Sequence, residues 1–193
     1  MSKITYKRPT APTTEPVTIE LARSQVGLTA GDTSMDTLLN SLIKAAREYV
    51  EKYTNRSLIN ATWTAYLDEF PSWVIDLYKL PISAIASVKY YDSDNELTAL
   101  VVDTDYIVDT ISEPARIEPA YNYSWPDTYS RPNAVQIEFT AGYGAAATDV
   151  PSTIQAAMLM FIAHMEANRG DEGFRTLPKT IEFLLKDYRL QII

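Results

Sequence analysis

Residues 34–67 read SMDTLLNSLIKAAREYVEKYTNRSLINATWTAYL, and within this stretch the apolar period changes. Up to Tyr53, the residues Leu38, Leu39, Leu42, Ile43, Ala46, Tyr49, Val50 and Tyr53 recur at steps of three and four, the spacing of one helix face. Lys44, Arg47, Glu48, Glu51 and Lys52 are assigned to the opposite, solvated face. A helix over 34–53 is expected to pack by a single stripe. From Ala61 the period falls to two, and Trp63-Thr64-Ala65-Tyr66-Leu67 reads as a strand. A helix that hands over to a strand excludes both the all-α and the all-β classes.

Downstream of this switch the strand signals continue. Val74-Ile75-Asp76-Leu77 follows the Phe70-Pro71-Ser72 turn, and Val88-Lys89-Tyr90-Tyr91 and Leu97-Thr98-Ala99-Leu100 flank the turn Asp92-Ser93-Asp94-Asn95. Tyr106-Ile107-Val108, Ala115-Arg116-Ile117 and the alternating Val135-Gln136-Ile137-Glu138-Phe139 complete the set, with 121–132 read as a loop. Helical spacing returns after Pro151, with Ile154, Ala157, Met158, Phe161, Ile162 and Met165 on one stripe that is expected to face the 34–53 helix. A last helix starts near Pro178 and carries Ile181, Leu184, Leu185 and Tyr188.

Upstream, Thr18 is a good N-cap for a short helix that stops near Gly27. Residues 1–16 hold Pro9, Pro12 and Pro16 among threonines and few apolar side chains, so a flexible N-terminal arm is expected. The fold class is therefore α+β. N- and C-terminal helices (17–58 and 150–189) form one small helical bundle, with a central antiparallel β-rich insertion at 59–149, and 17–193 is one domain.

Charge follows the same partition. The chain of 193 residues has 17 Lys+Arg and 25 Asp+Glu, a formal net charge of −8. Residues 59–149 hold fourteen acids, Asp68 to Asp149, against Lys79, Lys89, Arg116 and Arg131. An acidic balance argues against a broad phosphate-gripping surface. Zero Cys excludes disulfides, thiolate zinc sites and a cysteine nucleophile, and one His excludes multi-histidine metal sites. No apolar run reaches the roughly eighteen residues that span a bilayer, so no membrane partner is expected.

Three motifs resemble chemistry and fail on context. Gly142-Tyr143-Gly144-Ala145-Ala146-Ala147 matches a dinucleotide glycine turn, but Pro151 delays the helix whose N-terminus would face the phosphates. Asp92, Asp94, Glu96, Thr98 and Asp103 stand at calcium-loop offsets, but Leu97 replaces the essential glycine and the flanks are strands. His164 is the only candidate base, and no nucleophile elbow accompanies it. No catalytic constellation emerges, so no enzyme and no cofactor is expected. Trp63, Trp73, Trp125 and thirteen tyrosines leave open an aromatic-rich carbohydrate- or ligand-binding module that stacks sugars on Trp73 or Trp125. The apolar end Leu190-Gln191-Ile192-Ile193 suggests docking on a partner.

In order, the stretches Glu15-Pro16-Val17-Thr18, Ala45 to Arg56, Thr62-Trp63, Phe70-Pro71, Leu80-Pro81-Ile82, Val88 to Asp92, Trp125-Pro126, Ala141 to Gly144, Val150-Pro151, Asn168-Arg169 and Leu184 to Arg189 cover nearly the whole chain. This succession resembles the head–tail connector (adaptor, head completion) proteins of tailed phages and prophages. Its most specific part is Glu48-Tyr49-Val50-Glu51 through Tyr53-Thr54 and Arg56, followed by Thr62-Trp63. Asn95-Glu96 departs from it, standing where relatives often place a turn glycine.

The resemblance implies a structural virion subunit in a ring of about twelve copies, present in the host cytoplasm during assembly. It implies three further partners: the portal protein, a tail-side head-closure or tail-completion protein, and genomic DNA passing non-specifically through the lumen. The expected portal contact is the C-terminal helix and tail, comprising Leu184, Leu185, Tyr188, Arg189, Leu190, Ile192 and Ile193.

Overall fold

The computed structural model describes residues 4–169 and 178–190, which form a mixed α and β fold with antiparallel sheets. The chain divides into two compact units, one of residues 1–11 and 60–142, the other of residues 12–59 and 143–193.

The described residues of the first unit form strands joined by turns and loops, with no helix. Its five-stranded sheet has the order β1 (Thr5–Lys7), β2 (Ala61–Leu67), β8 (Val135–Ala141), β4 (Ile82–Tyr91), β5 (Leu97–Leu100). Every neighbouring pair is antiparallel. A three-stranded sheet has the order β3 (Ile75–Leu77), β7 (Ala115–Pro119), β6 (Tyr106–Asp109), also antiparallel. The period-2 pattern places alternate residues inside: Val135, Ile137, Phe139 and Ala141 of the central strand β8 are all buried. β4 is ten residues long, and its register shifts between Ile82 and Ala84 and again between Ile85 and Ser87. These irregularities break the alternation over 82–87, which is why only the 88–91 half reads as a strand in the sequence.

Thr5–Lys7, expected in a flexible arm, instead pairs with β2 in the register Thr5–Tyr66, Tyr6–Ala65, Lys7–Thr64. The physical reason is Tyr6. Its ring meets Phe139 edge-on, with centroids 6.3 Å apart, and its hydroxyl accepts a hydrogen bond from the Tyr78 N–H at 2.9 Å. Burial, the largest cause, pushes its phenol up from 10.0 to about 12.

The second unit is helical: α1 (Ile19–Gln25), α2 (Asp36–Thr54), α3 (Ser152–Ala167) and α4 (Lys179–Leu185). Thr18 caps α1 by accepting from the Leu21 N–H. The α1–α2 junction is fixed by Arg23, whose Nε donates to Asp36 Oδ1 at 2.7 Å; this ion pair lowers the Asp36 carboxyl below its ordinary range. α2 packs against α3, and Leu39, Ile43, Ala46, Val50, Ile154, Met158 and Ile162 form the centre of the core, with Ile181 and Leu185 added by α4. Tyr49 and Phe161 meet with ring centroids 4.9 Å apart. α3 carries more apolar surface than its stripe needs, and Met160 stays exposed.

Candidate assembly surfaces

The C-terminal end of α2 is where the most specific sequence stretch is explained. Arg47 and Glu51, assigned by the sequence to the solvated face, are instead buried, with Arg47 only 2% exposed. They fall on the stripe itself: Ile43, Arg47, Val50, Glu51 and Thr54 stand at helical steps of three and four. Two charges can sit there because each is paired. Arg47 Nε donates to Glu15 Oε2 at 2.8 Å and Arg47 Nη1 to Glu51 Oε2 at 3.1 Å. The other Glu51 oxygen accepts from the Leu58 N–H at 3.1 Å. One guanidinium and one carboxylate thus fasten three segments: the irregular lead-in at Glu15, helix α2, and the chain leaving it.

The next residues fasten the C-terminus. Asn55 ends α2 in the left-handed region (φ 59°), a conformation Asn tolerates well. Arg56, also buried, donates from Nε to the Tyr188 carbonyl at 2.7 Å. The Leu190 N–H donates to the Thr54 carbonyl at 3.1 Å, and the Arg189 guanidinium lies 5.2 Å from the Tyr53 ring centroid.

Against this frame the expected portal-contact residues separate. Leu185 is fully buried, so its side chain is held by the unit's own core and offers nothing to a partner. Leu184 and Tyr188 are half-buried against that core, Leu190 is half-buried and Arg189 is exposed. Ile192 and Ile193 lie outside the described residues. Sequence reasoning missed Phe183, which is 75% exposed on α4; it opens the apolar run Phe183-Leu184-Leu185, and only the helix register shows that it faces outward while Leu185 faces in.

The chemistry-like motifs are occupied by local structure. A side chain at Gly144 would collide with the Asp149 carboxylate, whose Oδ2 accepts from the Ala146 N–H at 2.9 Å. A carboxylate fills this turn, leaving no cradle for a phosphate. Asp92 is used by its own hairpin: Oδ1 accepts from the Asp94 and Glu96 N–H groups, and Oδ2 from the Thr98 hydroxyl at 2.9 Å. Those bonds, led by the backbone one at Glu96, lower its carboxyl. Asn95 takes φ 61° in that turn, doing what a glycine would do. His164 Nδ1 lies 3.1 Å from Asn168 Nδ2 at the end of α3, where Asn168 also bonds the His164 carbonyl.

The aromatic platforms fare no better. Trp125 stacks on Phe70 with centroids 4.7 Å apart and planes 3° from parallel, and its Nε1 donates to the Trp73 carbonyl. One face of the ring and its only polar atom are taken. Trp73 is exposed, but no second described ring stacks beside it to make a sugar platform.

A family model of phage gp6-like head-tail connector proteins matches residues 17–114. The chain belongs to that family. This membership makes its role structural, in the connector between head and tail, and it removes support from the carbohydrate-binding alternative. No curated protein matches the sequence. Among solved structures, this connector is similar to a chain from the neck of an empty gene transfer agent (GTA) particle computed with C6 symmetry. The TM-score is 0.82 at 21% identity, over 98% of this chain and 97% of that one. A chain from the virion of a native GTA particle matches at 0.77 and 19%, over 97% of each. A chain from the neck of a native GTA particle computed with C12 symmetry matches at 0.72 and 19%, over 98% and 97%. Identities this low speak for the fold alone, which the connector shares along nearly its full length. The family match spans α1 through β6 and includes the buried α2 end.

Proposed function

We propose that the protein is a non-enzymatic subunit of a closed ring at the head–tail interface of a virion. The ring docks on the portal, joins capsid to tail through a tail-side completion protein, and lets DNA pass through its lumen. The observation that carries this reading is the connector-family match, supported by likeness to chains from particle necks computed with C6 and C12 symmetry. In this arrangement the helical unit is one bundle and the β unit an insertion in it, within a single connector domain.

The acidic β segment suits a lumen, because like charge keeps the phosphate backbone from sticking. The portal contact is the outer surface of α4 and the tail: Phe183, Leu184, Tyr188, Arg189 and Leu190, extended by Ile192 and Ile193. Clustered apolar and aromatic anchors with an arginine are the composition that dominates interfaces. The test is a pull-down with portal from the same genome, comparing full-length protein with a variant lacking residues 189–193. Among the described residues the deletion removes the backbone hydrogen bonds from Arg189 to Lys186 and from Leu190 to Thr54 and the Arg189–Tyr53 contact, each about 1 kcal/mol or less. A thermal melt of the truncated protein checks that it folds. We expect it to lose portal binding. Equal retention of both proteins would move the portal contact elsewhere.

A further inference from the structure

We infer that the two terminal strands of the five-stranded sheet, β1 and β5, are the two halves of the subunit–subunit contact, so that the sheet of one copy continues into the sheet of the next. The inference rests on the ring reading above and names the surface that builds it. In the order β1-β2-β8-β4-β5 each terminal strand presents one row of backbone N–H and C=O groups to no strand of its own sheet. A closed ring needs two different patches that complement each other, whereas a patch that fits itself closes a dimer.

The two edges differ in the required sense. β1 carries exposed Lys7 and is followed by Arg8, whose guanidinium shares the Trp63 ring with Lys79, at 5.1 and 5.2 Å from its centroid. At the opposite edge the β4–β5 turn carries Asp92, Asp94 and Glu96, and Asp103 and Asp105 follow β5. Arg131 offsets part of that charge, lying 3.8 Å from the Tyr91 ring centroid and donating to Asn95 Oδ1 at 3.1 Å. Apolar side chains accompany the acidic edge: Leu97, Val101 and Val102 are each about half exposed.

Direction agrees as well. Four antiparallel ladders join five strands, so β1 and β5 run the same way. The small rotation between neighbours in a ring preserves that direction and sets β5 of one copy parallel to β1 of the next. Parallel pairing is the slightly weaker kind per residue, and strands of three and four residues make few bonds. The contact is therefore weak per copy and gains its strength from closure of the ring.

Charge reversal tests this directly. Lys7→Glu puts an acid into the basic edge and Glu96→Lys puts a base into the acidic one, so each removes one complementary pair and sets like charges opposite each other. Each variant alone is expected to self-associate several-fold more weakly than wild type, read by sedimentation at low salt. An equimolar mixture of the two restores assembly, because each reversed edge then meets its complement. As the chain has no cysteine, a Lys7→Cys/Glu96→Cys variant oxidised at high concentration should give a ladder beyond the dimer, while each single-cysteine variant stops at the dimer. Wild-type assembly that is indifferent to both reversals, or a double-cysteine protein that stops at the dimer, overturns the edge contact and leaves the ring intact. Wild-type protein that stays monomeric at every concentration and also forms no closed species on portal from the same genome overturns the ring reading itself.

Discussion

The helical unit and the β unit each tether a segment from the N-terminal part of the chain, and they do so by opposite means. In the helical unit the lead-in is fastened by charge: Arg47, buried on the inner stripe of α2, holds Glu15 and Glu51, and Glu51 holds the Leu58 N–H. In the β unit the first strand is fastened by a neutral phenol, Tyr6, packed edge-on against Phe139 and bonded to the Tyr78 N–H. A buried ion pair costs desolvation and returns geometry, since each partner has one place where its bonds are all made. A buried phenol costs little and returns packing with one directed bond. The difference places geometric strictness at the end of α2, where the N-terminal lead-in, the helix and the C-terminal tail converge, and leaves β1 as a strand held mainly by its side chain.

Breaking the charged tether is expected to have the larger effect. Arg47→Ala strands Glu51 in the core and frees the Glu15 segment; the loss is about 3–5 kcal/mol, as for removal of one partner of a buried pair. Denaturant unfolding measures it. A loss below about 1 kcal/mol, the range of exposed pairs, would show that Arg47 contributes no more than a surface charge.

The phenol tether is smaller and sensitive to pH in a predictable direction. Its raised value means that the folded protein holds the Tyr6 proton more tightly than the unfolded chain does. The associated stability is complete below pH 10 and is lost as pH climbs from 10.0 towards about 12. Tyr6→Phe removes the acceptor for the Tyr78 N–H, a cost of about 1 kcal/mol at neutral pH. It should also flatten this alkaline loss. An unchanged alkaline slope in the Phe variant would assign the titration to another group.

The same contrast explains what could be read from the sequence. The helices were legible because their apolar steps are local, and Thr18, Gly27 and Pro151 mark their ends. The hairpin Asp92–Asn95 was legible because its turn chemistry lies within five residues. β1 was not, since its partner β2 lies some sixty residues away and only Ile4 and Tyr6 hint at a period of two. The outer half of β4 was hidden by its register shifts. Arg47 and Glu51 were placed outside by a rule that sends charges to solvent. Opposite charges four apart on an apolar stripe are the signal that such a pair is buried. Of the expected portal residues, Leu185 belongs to the core for the same positional reason that Ile181 does, and Phe183 takes its place on the outer surface.

The central claim is that this chain is a ring subunit of a head–tail connector. Native mass spectrometry of the protein, alone at high concentration and bound to portal from the same genome, tests it most directly. The account predicts a single closed species of about twelve copies, formed by free protein or on the portal. Monomers bound to portal in scattered numbers, or no bound protein at all, would contradict it.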